Sequence, residues 1–277
     1  MKILVTGANG MLGSDLCKIL QQEGFDVIAT NTDNLDITKK DMINSFLEEK
    51  KTDMVIHLAG YTNVDGAETS PEEAFLINST GTENLANITA AMNIPIIYIS
   101  TDYVFNGTKN SPYETDDETN PINIYGESKL KGEKSIQKTN PRHYIVRTSW
   151  LYGHNGKNFV ETIISLGKKK EPLKIVNDQT GCPTWTLELS KAIVNLIKNK
   201  KAYGIYHICG SGQATWYEFA KKILELTEID TPVLPVLTSE FPRPAKRPMY
   251  SVMNNKNACP DWEESLKKYI EIRKQEE

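Results

Sequence analysis

The chain has 277 residues, of which 39% are hydrophobic and 25% charged, and its formal net charge is −4. This length allows a large core, which predicts one domain with a smaller lobe, and the acidic balance gives no electrostatic case for binding nucleic acid. No apolar run approaches the roughly 20 residues that a membrane helix needs, and the short run after Met1 does not predict an export signal.

The four cysteines are far apart in the sequence and form no C-x-x-C pair. They are Cys17, Cys182, Cys209 and Cys259. This spacing predicts neither a disulfide framework nor a metal site. Free thiols in a reducing cytoplasm are therefore expected.

The first element is a short β-rich run, Lys2–Thr6, followed by a glycine-rich turn over residues 7–13 and a helical pattern over 12–20. A strand, a glycine turn and a helix N-terminus in this order predict a phosphate site, because backbone N–H groups and the helix dipole favour an anion there. The spacing is G-x-x-G-x-x-G rather than the usual G-x-G-x-x-G.

The second strand is predicted at Phe25–Thr30. An acid just after this strand would bind the ribose 2′-hydroxyl of NAD and repel a 2′-phosphate. This chain instead has Asn31 and Thr32, and Asp33 lies two positions too late. The sequence therefore favours NADPH and leaves NADH open.

A helix is predicted over residues 39–50, a third strand over 54–58 and a long helix over 71–92. His57 lies in the apolar third strand, where a satisfied structural histidine is the favoured interpretation. Asp65 and Glu68, in the loop before the long helix, are interpreted as a solvated face or a helix start.

The most informative stretch begins where the apolar run 94–99 ends in Ser100, Thr101 and Asp102, and it closes with Tyr125 and Lys129. Residues four apart share one helix face, so the phenol and the amine are predicted to lie together. A neighbouring ammonium favours the phenolate, and we expect Lys129 to lower the Tyr125 pKa.

A further strand at 144–147 continues the alternation of strands and helices, which predicts an α/β fold with a Rossmann-like, doubly wound parallel sheet. We expect residues 1–150 to bind the dinucleotide, with a later strand and helix able to rejoin them. Residues 151–277 then form mainly a smaller C-terminal α/β lobe for substrate. In that lobe Arg243, Lys246 and Arg247 form either a diphosphate clamp or a solvated basic loop.

The chain resembles the extended short-chain dehydrogenases/reductases and, within them, the dTDP-4-dehydrorhamnose reductase family. The likeness covers nearly the whole chain. It is carried by the glycine turn, Ser100–Phe105, Tyr125 with Lys129, Arg147–Trp150 and Asn177–Gln179.

The resemblance implies reduction of the C4 keto group of dTDP-4-dehydro-L-rhamnose by NADPH or NADH. The product, dTDP-L-rhamnose, is a sugar donor for cell-surface polysaccharide. By the family pattern Tyr125 is the general acid, Lys129 tunes it and holds the nicotinamide ribose, and Thr101 orients the keto oxygen. The implied substrate contacts are Thr101, Asp102, Val64, Trp150 and Arg247. The implied cofactor contacts are Gly7, Asn9, Gly10, Met11, Leu12, Asn31, Asp36, Ile37, Gly60, Tyr61, Thr62, Tyr125 and Lys129.

Several alternatives stay open at this stage. A sugar-nucleotide dehydratase or epimerase shares the cofactor domain, but the dehydratases carry Thr-Asp-Glu where this chain has Tyr103 in the third position. A regulatory subunit resembling the β subunit of methionine adenosyltransferase, or a reductase of another dTDP-4-keto-6-deoxy sugar, would share the pocket. The resemblance also leaves a homodimer and Mg²⁺ open, although no ligand cluster in the sequence demands a metal.

Overall fold

The computed structural model describes residues 1–276 of the chain. The strands are β1 (Lys2–Thr6), β2 (Asp26–Thr30), β3 (Met54–His57), β4 (Ile96–Thr101), β5 (His143–Thr148), β6 (Leu151–Tyr152), β7 (Leu173–Val176), β8 (Thr180–Gly181), β9 (Thr184–Trp185), β10 (Gly204–His207), β11 (Ala214–Thr215) and β12 (Val233–Val236). The helices are α1 (Met11–Gln22), α2 (Lys40–Lys50), α3 (Val64–Thr69), α4 (Pro71–Phe75), α5 (Thr82–Ala91), α6 (Ile124–Thr139), α7 (Phe159–Gly167), α8 (Thr186–Lys198), α9 (Trp216–Leu226) and α10 (Trp262–Glu276).

Six of the strands form one parallel sheet in the order β10-β5-β4-β3-β1-β2. Every residue of β3 and β4 is buried, as expected for parallel strands covered by helices on both faces. The chain runs outward from β1 in both directions, so the strand order reverses beside β1. In such a sheet the crevice at the carboxyl ends near this reversal is the place for a ligand. The predicted Rossmann-like, doubly wound sheet is confirmed.

After residue 150, helices α7, α9 and α10 and the short strands build a second region with its own apolar core. Tyr152, Trp185, Phe219 and Tyr269 are buried together in this core. The chain also returns to the main sheet, because β10 pairs with β5 and α8 packs on α1.

The predicted helix over 71–92 is interrupted in the structure. A π-helical turn, Leu76–Gly81, separates α4 from α5. Asn78 lies in this turn and is buried, and its side chain bonds both the loop after β3 and helix α6. Turns of this kind often occur at functional sites.

Both interior histidines have structural partners. The ring nitrogens of His57 lie 2.8 Å from Thr6 Oγ1 and 3.0 Å from Thr82 Oγ1, and burial lowers the His57 pKa to about 3. His207 Nδ1 lies 3.1 Å from the Tyr113 carbonyl oxygen. The structural interpretation of His57 therefore agrees with its surroundings.

Among residues 1–276, no helix is long and apolar enough to cross a membrane. All four cysteines are free thiols. The same residues bring together no group of three His, Cys, Asp or Glu side chains that could hold a metal ion.

A buried ion pair joins the sheet to helix α6. Arg147 on β5 donates from Nε to Glu133 Oε1 at 3.0 Å and from Nη2 to Glu133 Oε2 at 2.8 Å. The side chains of Arg147 and Glu133 are only 3% and 0% exposed. Because each charge depends on the other for compensation, the pair fixes α6 against the sheet.

We predict that Glu133→Gln lowers the free energy of unfolding by about 3–5 kcal/mol, because it leaves the Arg147 guanidinium buried without its counter-charge. The control is Glu127→Gln on the same helix, which removes only an exposed pair with Lys131. That change should cost no more than about 0.5 kcal/mol. Urea unfolding of both variants measures the two values, and equal losses would contradict the assignment.

Candidate active site

A cavity of about 850 Å³ opens at the carboxyl edge of the main sheet. Its walls come from the segments that follow each of the first five strands. They are the turn after β1, the 31–38 segment after β2, the 58–62 loop after β3, the 100–103 segment after β4 and the 148–151 segment after β5. The cavity therefore lies where parallel α/β sheets hold ligands.

The turn after β1 has the shape of a phosphate cradle. Gly7 has a φ of +67°, and a Cβ there would lie 2.7 Å from the Ala59 backbone nitrogen. A Cβ on Gly13 would lie 2.4 Å from the Gly7 carbonyl oxygen, so only glycine allows α1 to pack this closely. Gly10 caps α1 without a side-chain hydrogen bond. These residues fit the diphosphate of a dinucleotide cofactor.

The segment after β2 places no carboxylate directly at the strand end. Asn31 Oδ1 accepts the Asp33 backbone N–H at 2.9 Å, and Asp33 is exposed. Asp36 lines the cavity, and its carboxylate accepts both the hydroxyl and the backbone N–H of Thr38, which hold the Asp36 pKa below its usual value.

Asn78 fixes the loop after β3. Its Oδ1 accepts the Tyr61 N–H at 2.8 Å, and its Nδ2 donates to the Tyr61 carbonyl at 3.0 Å and to Ser128 Oγ at 3.0 Å. Gly60 lies directly against this side chain, and a Cβ there would be 3.7 Å from Lys129 Nζ. The loop is therefore held over the amine of Lys129.

Helix α6 brings Tyr125 to Thr101 through a close backbone contact. A Cβ on Gly126 would lie 2.2 Å from the Tyr103 carbonyl oxygen, so glycine lets the first turn of α6 touch the short turn that follows β4. Asn123 caps this turn by accepting the Gly126 N–H at 2.7 Å. Thr101, Tyr125 and Lys129 all line the cavity.

The prediction that Lys129 lowers the Tyr125 pKa is wrong for the polypeptide itself. Burial raises the Tyr125 pKa to about 12, although the hydrogen bond with the Thr101 hydroxyl lowers it. Burial also lowers the Lys129 pKa to about 7. Its Nζ lies 4.1 Å from the centre of the Tyr98 ring. Tyr125 thus holds its proton at neutral pH, as a proton donor must.

Asp102 provides a second buried group beside Thr101. It is 2% exposed, and burial raises its pKa to about 7, while the Ser251 hydroxyl favours the charged form. Asp102 Oδ1 accepts the Thr101 hydroxyl at 3.0 Å, whereas Oδ2 accepts no hydrogen bond from the residues that the structure describes. Asp102 therefore holds the Thr101 hydroxyl at the cavity wall.

Two residues expected at the site lie outside the cavity wall. The backbone of Tyr61 is held by Asn78, and its hydroxyl packs against Gly66 rather than into the cavity. Arg247 donates from Nη1 and Nη2 to the two carboxylate oxygens of Asp65 at 2.5 and 2.9 Å. All the other expected cofactor and substrate residues line the cavity.

Asp65 and Glu68 lie in helix α3 rather than in a loop, and Asp65 stands in its first turn, which agrees with the helix-start interpretation and not with a solvated face. Asp65 binds Arg247 and lies 3.4 Å from Arg243 Nε, and its pKa is lowered first of all by the hydrogen bonds from Arg247. Glu68 Oε1 accepts the Ile124 backbone N–H at 2.9 Å. Both carboxylates tie α3 to its neighbours, which no pattern local to this loop could indicate.

The site residues expected from the sequence do not include Tyr103, Lys157 and Trp216, which also line the cavity. Trp216 and Lys157 come from the second region of the chain. Trp216 is the first residue of α9, directly after Thr215, which forms a capping box with Glu218. Locally, this sequence indicates only a helix start.

Comparison with known proteins gives consistent matches over the whole chain. The family model described as the RmlD substrate binding domain matches residues 1–274. The chain belongs to this family. It is 39% identical to the spore coat polysaccharide biosynthesis protein SpsK of Bacillus subtilis, over 98% of each chain.

Two solved structures resemble this member of the RmlD substrate binding domain family closely. A dTDP-4-dehydrorhamnose reductase from Clostridium acetobutylicum has a TM-score of 0.96 and 45% identity, covering 99% of this chain and 100% of its own. The dTDP-4-dehydrorhamnose reductase of Bacillus anthracis, solved in complex with NADP, has a TM-score of 0.94 and 40% identity, covering 98% and 99%.

For this family member we predict that Lys129→Met stabilises the fold near pH 7 by up to about 5 kcal/mol, and that the gain shrinks as the pH rises. The Lys129 pKa is about 7 in the folded chain against 10.5 unfolded. Between these values the unfolded state binds more protons, so Lys129 costs most stability below pH 7 and progressively less toward pH 10.5.

Urea unfolding of this variant at pH 7, 8.5 and 10 checks the slope. The control is Lys131→Met on the same helix, because that side chain is 54% exposed. A pH-independent difference for Lys129→Met would show that the amine is not buried as described.

Proposed function

We propose that this protein reduces the C4 keto group of dTDP-4-dehydro-L-rhamnose to the hydroxyl of dTDP-L-rhamnose, using NADPH or NADH. The main support for this proposal is that the glycine turn suited to a diphosphate lines the same cavity as Thr101, Tyr125 and Lys129. Relatives of the same family named as dTDP-4-dehydrorhamnose reductases support the substrate, and the Bacillus anthracis complex with NADP supports the cofactor.

The chain's own residues supply alignment and a proton. The nicotinamide cofactor, when bound, supplies the hydride. Thr101 orients the keto oxygen, and Tyr125 donates its phenolic proton to that oxygen as negative charge develops on it. Lys129, beneath the loop at Gly60, holds the nicotinamide ribose and favours the phenolate that proton donation leaves.

The substrate's sugar ring lies between this proton donor and the second region of the chain. Asp102 lies at the sugar, where it accepts the Thr101 hydroxyl, and Val64 and Trp150 form apolar contacts with the sugar. We assign dinucleotide binding to residues 1–150 together with β10 and α8, and the outer side of the sugar-nucleotide site to residues 151–277, which add Lys157 and Trp216 to the cavity wall. Arg247 acts through Asp65, because its guanidinium is already paired.

The choice of cofactor rests on the segment after β2. Asn31 stands where an acid would repel a 2′-phosphate, which supports NADPH, and Asp36 and Ile37 lie on the same wall.

A dehydratase needs a carboxylate at the third position of the Thr101 segment. Tyr103 stands there, and burial raises the pKa of its phenol well above the usual value. The residue therefore cannot act as a base near neutral pH. This observation argues against the dehydratase and leaves a non-catalytic regulatory subunit as the alternative that an assay must test.

We further propose that the enzyme acts in the cytoplasm, as a homodimer. Its free thiols suit a reducing compartment, and a nucleotide-sugar substrate with a nicotinamide cofactor is available there. Sedimentation equilibrium tests the dimer, and a mass equal to one chain across micromolar concentrations would contradict it.

We predict that the wild-type protein oxidises NADPH in the presence of dTDP-4-dehydro-L-rhamnose and that Tyr125→Phe lowers kcat by about 10²–10⁴-fold, because the proton donor is lost. The phenylalanine ring keeps the packing, so the variant should still bind NADPH. The decrease in nicotinamide absorbance measures turnover, and fluorescence titration measures cofactor binding.

Tyr144→Phe is the matched control, because the Tyr144 phenol lies away from the cavity. It donates to the Lys201 carbonyl oxygen at a distance of 2.7 Å. A wild-type protein that is folded and binds NADPH, yet leaves the keto sugar unchanged, would favour the regulatory subunit. Faster turnover of another dTDP-4-keto-6-deoxy sugar would reassign the substrate within the same chemistry.

A further inference from the structure

Two tryptophans are stacked in the wall of the cavity. The ring centroids of Trp150 and Trp216 are 3.5 Å apart and their planes differ by 4°. A Cβ on Gly181 would lie 2.4 Å from Trp150 Cε2, so this glycine allows the indole to rest on the backbone. Phe159 supports Trp216, with its ring centroid at 4.6 Å. Trp150 is thus held between Gly181 and Trp216.

The orientation of Trp216 is fixed by a polar network. Its Nε1 donates to Gln179 Oε1 at 3.2 Å, and Gln179 Nε2 donates to Thr238 Oγ1 at 3.0 Å. Asp178 in turn accepts the Thr238 backbone N–H at 3.0 Å and its hydroxyl at 2.6 Å. Gln179 is only 7% exposed. Two residues of the Asn177–Gln179 motif, Asp178 and Gln179, therefore fix the orientation of Trp216.

The backbone of Trp150 needs such support. Its φ is +48°, in the left-handed region that a bulky side chain rarely adopts. Conformations of this kind persist where surrounding contacts impose them, often at functional sites. Stacking on Trp216 and contact with Gly181 are the contacts that hold the indole in place.

The register of the sheet places the indole near the reacting end of the cavity. Thr148 on β5 lies opposite Thr101 on β4, and Trp150 follows two residues later. The wall that Trp150 forms is therefore beside Thr101, where the keto sugar would lie, rather than at the glycine turn.

We propose that Trp216, held by Gln179, is a positioning residue that fixes Trp150 as a rigid apolar wall against the pyranose ring of a nucleotide sugar, and so sets which keto sugar is accepted. This inference rests on the proposed function. A rigid wall discriminates between sugars that differ at one centre, because a ring that does not fit against the wall loses binding contacts with it.

The test compares Trp216→Leu with Trp216→Phe, which keeps a stacking ring, and with Tyr217→Leu. Tyr217 is the next residue of α9 and does not line the cavity. Stacked indoles give an exciton couplet in far-ultraviolet circular dichroism, so the pair can be followed directly. Steady-state kinetics give KM for the keto sugar, KM for NADPH and kcat.

Trp216→Leu should abolish the couplet and raise KM for the keto sugar by about 10-fold or more, while KM for NADPH and kcat change by less than about 3-fold. Trp216→Phe should recover most of the sugar affinity, and Tyr217→Leu should match the wild type. Loss of the couplet with an unchanged KM for the sugar would overturn the proposal. Equal damage to the KM of both substrates would also overturn it, since that indicates a general structural role.

Calorimetric titration with dTDP-L-rhamnose separates this inference from the proposed reaction. The wild type could be inactive but bind dTDP-L-rhamnose, with Trp216→Leu binding it about 10-fold more weakly. That result would reject the proposed reaction and support the role of Trp216 in positioning Trp150. Equal affinities of the two proteins, or no binding by either, would overturn the wall.

Discussion

Lys129 lies buried under the loop after β3, with its amine 4.1 Å from the centre of the Tyr98 ring, and this burial brings its pKa to about 7. The same desolvation raises the pKa of Tyr125 to about 12. A buried phenol that keeps its proton can act as a general acid, because it gives up the proton only where negative charge develops beside it. In the proposed reaction, Lys129 favours the phenolate that remains.

Contacts from several other elements hold the start of α6, the helix that carries Tyr125 and Lys129, in place. Behind it, the buried pair of Arg147 and Glu133 fixes the helix to β5. In front, Asn123 caps the helix and also donates to the Lys246 carbonyl at 2.8 Å. The Asp65 carboxylate accepts the Arg247 guanidinium across 182 positions of the sequence, so α3 and the 245–247 segment close together over the helix start.

Much of this arrangement could be predicted from the sequence, because the signals are local. The strand, glycine turn and helix at residues 2–22 follow from spacing, and so do the positions of Tyr125 and Lys129 on one helix. Thr101 was expected at a strand end, where the structure has it. These features depend on periodicities and turn chemistry that one segment carries alone.

The features that could not be predicted depend on contacts between segments that are distant in the sequence. Asp65 could not be identified as an ion-pair partner, because Arg247 lies far away in the sequence and both residues look like ordinary surface charges. Trp216 resembled a helix start and nothing more. The predicted decrease in the Tyr125 pKa considered only the nearby charge, whereas burial, which no local pattern reveals, sets the direction.

The most direct test is an ultraviolet difference titration of the Tyr125 phenol, obtained by subtracting Tyr125→Phe from the wild type, with and without NADP⁺. A cationic ring beside the phenol favours phenolate. The account predicts a pKa near 12 for the protein alone and a clear decrease when NADP⁺ is bound. A Tyr125 pKa that does not change on binding NADP⁺ would contradict it.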